Sequence, residues 1–150
     1  MTEITSMVQP VELVTRASAP GRQGFAAEAD RDRLAATALK AYRRLVEQWG
    51  LTAAQAAALL GVSVSTWERL KPEGRARSLT QDQMTRISIL TGIYKGLHLL
   101  FADAMADRWL LLPNSGPIFQ GRSPVAAMMD GGIPLMLDVR RYVDAVRGGL

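Results

Sequence analysis

Two short runs of helical pattern, each opened by a capping hydroxyl and separated by Gly61, constrain this chain more than any other feature of its sequence. Thr52 stands three residues before Gln55, a capping box at the head of the alanine-rich run Ala53 to Leu60. Gly61 ends that run. Ser63 opens the next, which carries Val64, Trp67 and Leu70 at helical spacing until Pro72 and Gly74 stop it. Two short helices one turn apart must cross steeply, which demands a small residue at the crossing, a turn residue that accepts positive φ, and an apolar set to fix the second helix. Ala57, Gly61 and the group Leu60, Val62, Trp67 and Leu70 meet those demands, with steps of four, six and three residues from Ala57 to Gly61 to Trp67 to Leu70. The pattern predicts a helix-turn-helix.

Alanine-rich helix pairs also occur in bundles that meet no nucleic acid, and the exposed face separates the two readings. With Trp67 and Leu70 inward, the second helix presents Ser63, Ser65, Thr66 and Arg69, short donors and a guanidinium suited to phosphates and base edges. Lys71, Arg75 and Arg77 follow where a DNA backbone would pass. Although the whole chain carries only +4, the nine residues from Arg69 to Arg77 hold four cations against the single acid Glu73. Each phosphate neutralised by such a cluster releases a condensed counterion. Glu68 either accepts from a cytosine amino group or pairs with Arg44, and the sequence leaves both open.

Elsewhere the pattern is helical and strand alternation is nearly absent, so the expected fold is all-α. Residues 1–28 carry Pro10, Pro20, Gly21 and Gly24 without a sustained period and read as an irregular arm, with a short strand or a turn around Val11 to Val14. Ala29 to Trp49 reads as an amphipathic helix with Leu34, Ala38, Ala41 (or Tyr42), Leu45 and Trp49 on its apolar side. Thr80 with Gln83 opens a long central helix of Met84, Ile87, Leu90, Tyr94, Leu97 and Phe101, in which Gly92 and Gly96 mark close packing or a local bend. Asp103 to Leu112 is a short helix stopped by Pro113, and Ser123-Pro124 opens another to Met129. Pro134 starts a last helix whose seam is Met136, Val139, Val143 and Val146. The expected domains are the arm, a DNA-binding region over 29–78, and a helical C-terminal module over 79–150.

Several function classes are disfavoured. Without cysteine there is no disulfide framework, thiolate zinc site or cysteine nucleophile, and the single His98 cannot assemble a zinc site. No serine sits in a G-x-S-x-G turn and no G-x-x-x-x-G-K-[ST] is present, so the chain is expected to be no enzyme and to need no cofactor or metal. No apolar stretch approaches 18 residues, and Met1 to Pro10 lacks the basic and apolar regions of a secretory signal. A cytoplasmic protein with no membrane contact is expected.

The sequence resembles the Xre/MbcA/ParS antitoxins, partners of RES-domain toxins that destroy NAD, over about residues 30–150. The resemblance rests on Leu79-Thr80-Gln81-Asp82-Gln83 leading to Arg86, on Gly92-Ile93-Tyr94-Lys95-Gly96-Leu97, on Trp109-Leu110 before Pro113-Asn114, on Gly121-Arg122-Ser123-Pro124, and on Val139-Arg140-Arg141-Tyr142. It implies autorepression at operator DNA through the helix-turn-helix and neutralisation of the toxin by the C-terminal module, whose last helix and tail cover the NAD cleft. The toxin-facing residues it implies are Arg122, Arg140, Arg141, Asp144 and Arg147, with the tail Gly148, Gly149 and Leu150. A homodimer within a larger complex with the toxin is expected, since one small recognition helix makes few contacts. The alternatives are a solitary helix-turn-helix regulator with no toxin, and a helical adaptor that meets no nucleic acid.

Overall fold

The structure is a computed structural model and describes residues 28–72 and 78–148. The expectations for the N-terminal arm, for Arg75 and Arg77, and for Gly149 and Leu150 lie outside the described residues. Every regular element described is a helix: α1 (Glu28–Trp49), α2 (Ala53–Leu60), α3 (Val64–Leu70), α4 (Gln81–Leu100), α5 (Asp103–Trp109) and α6 (Pro124–Gly148). The all-α expectation holds. Among the described residues no helix is long and apolar enough to cross a membrane.

The helix boundaries follow from local chemistry. Thr52 and Thr80 each accept from the backbone N–H three residues on, while Gln55 and Gln83 accept from the N–H of the capping residue, closing both boxes at 2.9–3.1 Å. Gly50 and Gly61 end α1 and α2 at φ of 62° and 76°. At the second, the N–H groups of Gly61 and Val62 donate to the carbonyls of Ala58 and Ala57, the paired closure that a left-handed residue allows. α6 is broken at Gly132, where φ is 63° and ψ −153°, so Pro134 falls in the first turn of its second arm.

α4 is the centre of the molecule, packed against α1, α2, α5 and α6. Flanked in this way it buries two rows, with Ile89 and Ile93 joining Met84, Ile87, Leu90 and Leu97, while Tyr94 is only half-buried. Its glycines mark close packing: a Cβ on Gly96 would lie 2.7 Å from Cγ1 of Val143, and one on Gly92 would lie 2.5 Å from Cζ of Arg140. In α1 the buried row is Ala35, Leu39, Tyr42, Leu45 and Trp49, leaving Leu34, Ala38 and Ala41 half-buried. The row turns by one residue because the Tyr42 hydroxyl donates to the Ala56 carbonyl at 2.6 Å, which lets the larger ring enter the core with its polar atom satisfied.

The C-terminal core is aromatic. Phe119, in the connection between α5 and α6, is fully buried and meets Trp109 and Tyr142 edge-on at 5.7 and 5.5 Å. Trp109 and Tyr142 stack at 6.3 Å. The expected seam of the last helix holds for Met136, Val139 and Val143, all buried, but Val146 is 39% exposed. Val146 stands one turn beyond Tyr142, at the rim of a hollow that Phe101, Trp109 and Tyr142 also line.

Candidate functional site

The recognition helix α3 is held at both ends and along its inner side. At its head the Ser63 Oγ accepts from the Thr66 N–H at 3.1 Å and donates to the Thr66 hydroxyl at 3.0 Å. At its tail the Arg43 guanidinium of α1 donates to the Leu70 carbonyl at 2.9 and 3.2 Å and to that of Pro72 at 3.2 Å. These carbonyls have no partner within the helix, and a cation there also opposes the negative end of the helix dipole. Inside, Trp67 is 1% exposed and stands edge-on to Tyr42 at 5.4 Å.

The turn before α3 is set from α4. Arg86 is anchored to Asp82 at 2.7 Å, lies under Gly61, and reaches toward the Leu59 carbonyl at 3.4 Å. The positive φ at Gly61 calls for glycine, and a Cβ there would approach the Arg86 Nε to 2.8 Å and press on its bond to Asp82. Burial pushes the pKa of Tyr42 well above the usual tyrosine range, with the Arg86 charge pulling weakly the other way. Its hydroxyl therefore stays a donor.

The outer face of α3 carries Ser63, Ser65, Arg69 and Lys71 exposed, with Thr66 half-buried. The Arg69 guanidinium donates to the Thr66 hydroxyl at 3.2 Å, which ties those two polar ends together. Glu68 is exposed, and no ion pair joins it to Arg44 among the described residues. Three features of this surface are not visible in the sequence pattern. Val64 is 47% exposed rather than inward, because steps of three residues drift by about 60° each and carry it off the line of Trp67 and Leu70. A methyl-bearing side chain there suits a thymine methyl. Lys40 and Arg44 of α1 line a hollow of about 450 Å³ that Lys71 also borders, adding cations beside α3 from a helix remote in sequence. Arg43 was legible only as one more helical arginine, since its acceptors lie 27 and 29 residues away.

The C-terminal candidates are not brought together in the same way. Arg122 pairs with Asp130 at 2.6 Å, Arg141 with Asp138 at 3.3 Å, and Arg147 with Asp144 at 3.7 Å, all on exposed surface. Arg140 does not share the outer face with Arg141. It is half-buried with its guanidinium over Gly92 of α4, because neighbours on a helix stand about 100° apart and only one of the two can face outward. Gly148 is exposed at the end of α6.

A family model for the antitoxin Xre-like helix-turn-helix domain matches residues 27–90, from α1 into the first half of α4. The chain is also 35% identical over 113 residues to the uncharacterized protein y4oB of Sinorhizobium fredii (strain NBRC 101917 / NGR234), covering 74% of this chain and 84% of that protein.

Proposed function

Because the chain belongs to the antitoxin Xre-like helix-turn-helix family, we propose that it is a non-enzymatic antitoxin that represses its own operon and neutralises a RES-domain toxin by blocking that toxin's NAD-binding cleft. The observation that carries the DNA half is the clamped recognition helix, fixed by Ser63 at its head and Arg43 at its tail while Ser65, Arg69 and Lys71 stay exposed. A rigid helix with free short donors and a guanidinium suits direct reading of base edges in a major groove. Residues 29–78 are assigned to this role, with Thr66, Arg75 and Arg77 completing the contact surface.

Residues 79–150 are assigned to the toxin. The exposed pairs of Arg122, Arg141 and Arg147 with their own carboxylates support this, since such surface pairs are worth about 1 kcal/mol or less and exchange readily for a better partner. The tail from Gly148 through Gly149 to Leu150 follows directly and would enter the cleft. A homodimer reading two half-sites, bound to toxin and confined to the cytoplasm, completes the proposal.

The test is a paired measurement. Replacing Arg69 and Lys71 with alanine should weaken operator binding and lower its salt slope by about two units, while cells co-expressing the adjacent toxin still grow. Reversing Arg141 and Arg147 to glutamate should give the opposite result. Operator binding without any rescue of growth by the unaltered chain would instead make it a solitary regulator.

A further inference from the structure

Between α1 and α4 runs a furrow whose floor neither assignment uses, although Arg140 at its edge is one of the toxin-facing residues that the resemblance implies and Lys40 and Arg44 also border the hollow beside α3. It is made of two hollows, about 340 and 560 Å³, that share Thr37, Ala41, Thr91 and Lys95 and are therefore continuous. On α1 the lining runs from Leu34 to Gln48, about 21 Å at the rise of a helix. The floor is short, with Ala38, Ala41 and Gly92, so a partner's backbone can come close. Its cations are Lys40, Arg44, Lys95 and Arg140, and no carboxylate lines either hollow among the described residues.

None of these four cations has a hydrogen bond or ion pair among the described residues. For the exposed lysines that is ordinary. Arg140 is half-buried as a residue, with its guanidinium over Gly92 and its planar set of five donors at the edge of the first hollow. A carboxylate arriving from outside would satisfy it in two parallel bonds.

We propose that this furrow docks an acidic amphipathic helix of a partner protein, about four turns long, with small apolar residues against the floor and Glu or Asp along both flanks. Length, shallow apolar floor and cationic sides match the groove mode of helix recognition. A phosphate chain would meet the cations but leave the half-buried Leu34 and Ala38 uncovered. The inference stands apart from the toxin reading and is measured with no toxin present.

The probe is a fluorescein-labelled 16-residue helical peptide with alanine and leucine on one face and glutamate on both flanks, titrated into the full chain and followed by anisotropy. Saturable binding is expected, weakened at least tenfold by Lys95→Glu and by Gly92→Ala, with operator affinity unchanged in both. The second variant is informative because its added Cβ displaces only the flexible end of Arg140 and suits a helix interior. A peptide with lysine for glutamate should fail on the unaltered chain and bind Lys95→Glu better. Absence of binding, or binding indifferent to both variants, overturns the proposal. So does displacement of the peptide by inorganic pyrophosphate at equal charge, which would make the furrow a phosphate site. Loss of self-association in the variants, with peptide binding intact, would assign the furrow to a second copy and also overturn it.

Discussion

The helix-turn-helix and the second arm of α6 hold their shapes by different means. Around α2 and α3, side chains from other helices donate to backbone carbonyls: Tyr42 to Ala56, Arg43 to Leu70 and Pro72, and Arg86 to Leu59. No comparable long-range bond to backbone fixes residues 133–148 among the described residues. That arm rests on Met136, Val139 and Val143, on the close approach of Val143 to Gly96, and on the Trp109, Phe119 and Tyr142 rings. A bond to a carbonyl fixes where a helix ends and how it is turned, which a helix reading base edges requires. Apolar packing fixes a helix on its neighbour and leaves the outer face free to change its charges.

The largest test of this difference is Trp67→Ala. Trp67 is buried against Tyr42, so its loss should cost about 3–5 kcal/mol and unfold the helix-turn-helix rather than merely weaken recognition. Chemical denaturation measures this. A variant with an unchanged midpoint and lost DNA binding would make Trp67 a reader and break the comparison at its strongest point.

On the other side, Gly96→Ala probes the apolar arm. Alanine is favoured over glycine in a helix by about 1 kcal/mol, yet its Cβ would meet Val143, and overpacking of that kind costs about 1–3 kcal/mol. Net destabilisation is expected. Adding Val143→Ala should reverse the sign, so that the double variant is more stable than Val143→Ala alone. If Gly96→Ala is stabilising by itself, α6 is looser on α4 than the structure has it.

What the sequence revealed divides along the same line. Caps at Thr52, Ser63 and Thr80, the turn at Gly61 and the break before Pro134 are legible because each depends on residues within one turn. The clamp of Arg43 on Leu70 and the seat of Arg140 over Gly92 are not, because each joins residues 27 or more positions apart. Periodicity does not separate Tyr42 from Ala41 for the same reason, since it gives a face about 100° wide and the Ala56 carbonyl decides within it. Val146 keeps the period of the seam but sits at its rim, beside a hollow shared with Phe101, Trp109 and Tyr142, and so stays partly exposed.

Tyr42 gives a test that depends on pH. Burial favours its neutral form in the folded chain, whereas the unfolded tyrosine ionises from about pH 10. The stability it supplies is therefore complete below that pH and lost as pH rises above it, with a slope of about 1.4 kcal/mol per unit. Tyr42→Phe should cost about 1 kcal/mol at neutral pH, because the Ala56 carbonyl loses a donor, but should lack that extra slope. Denaturation curves of the two proteins should converge above pH 10. A constant gap would mean that Tyr42 ionises as freely folded as unfolded.

The smallest expected effect lies on the outer face of α6. Arg141 and Asp138 stand 3.3 Å apart with 74% and 47% of their side chains exposed, three residues apart on one helix. Water and salt screen such a pair, and ordering two mobile side chains offsets most of the attraction, so a double-mutant cycle should give about 0.5 kcal/mol or less. The contrast with Arg43 is physical: its acceptors are carbonyls fixed in the backbone, while the acceptor of Arg141 is itself mobile. If Arg141 is to meet a partner, a weak pair is what lets it leave Asp138 at little cost. Thermal unfolding of Arg141→Ala, Asp138→Ala and the double variant at low and high salt decides the point. A coupling above about 1 kcal/mol that survives high salt would show this face to be fixed like the helix-turn-helix. The division between a rigid reading surface and an exchangeable charged one would then fail.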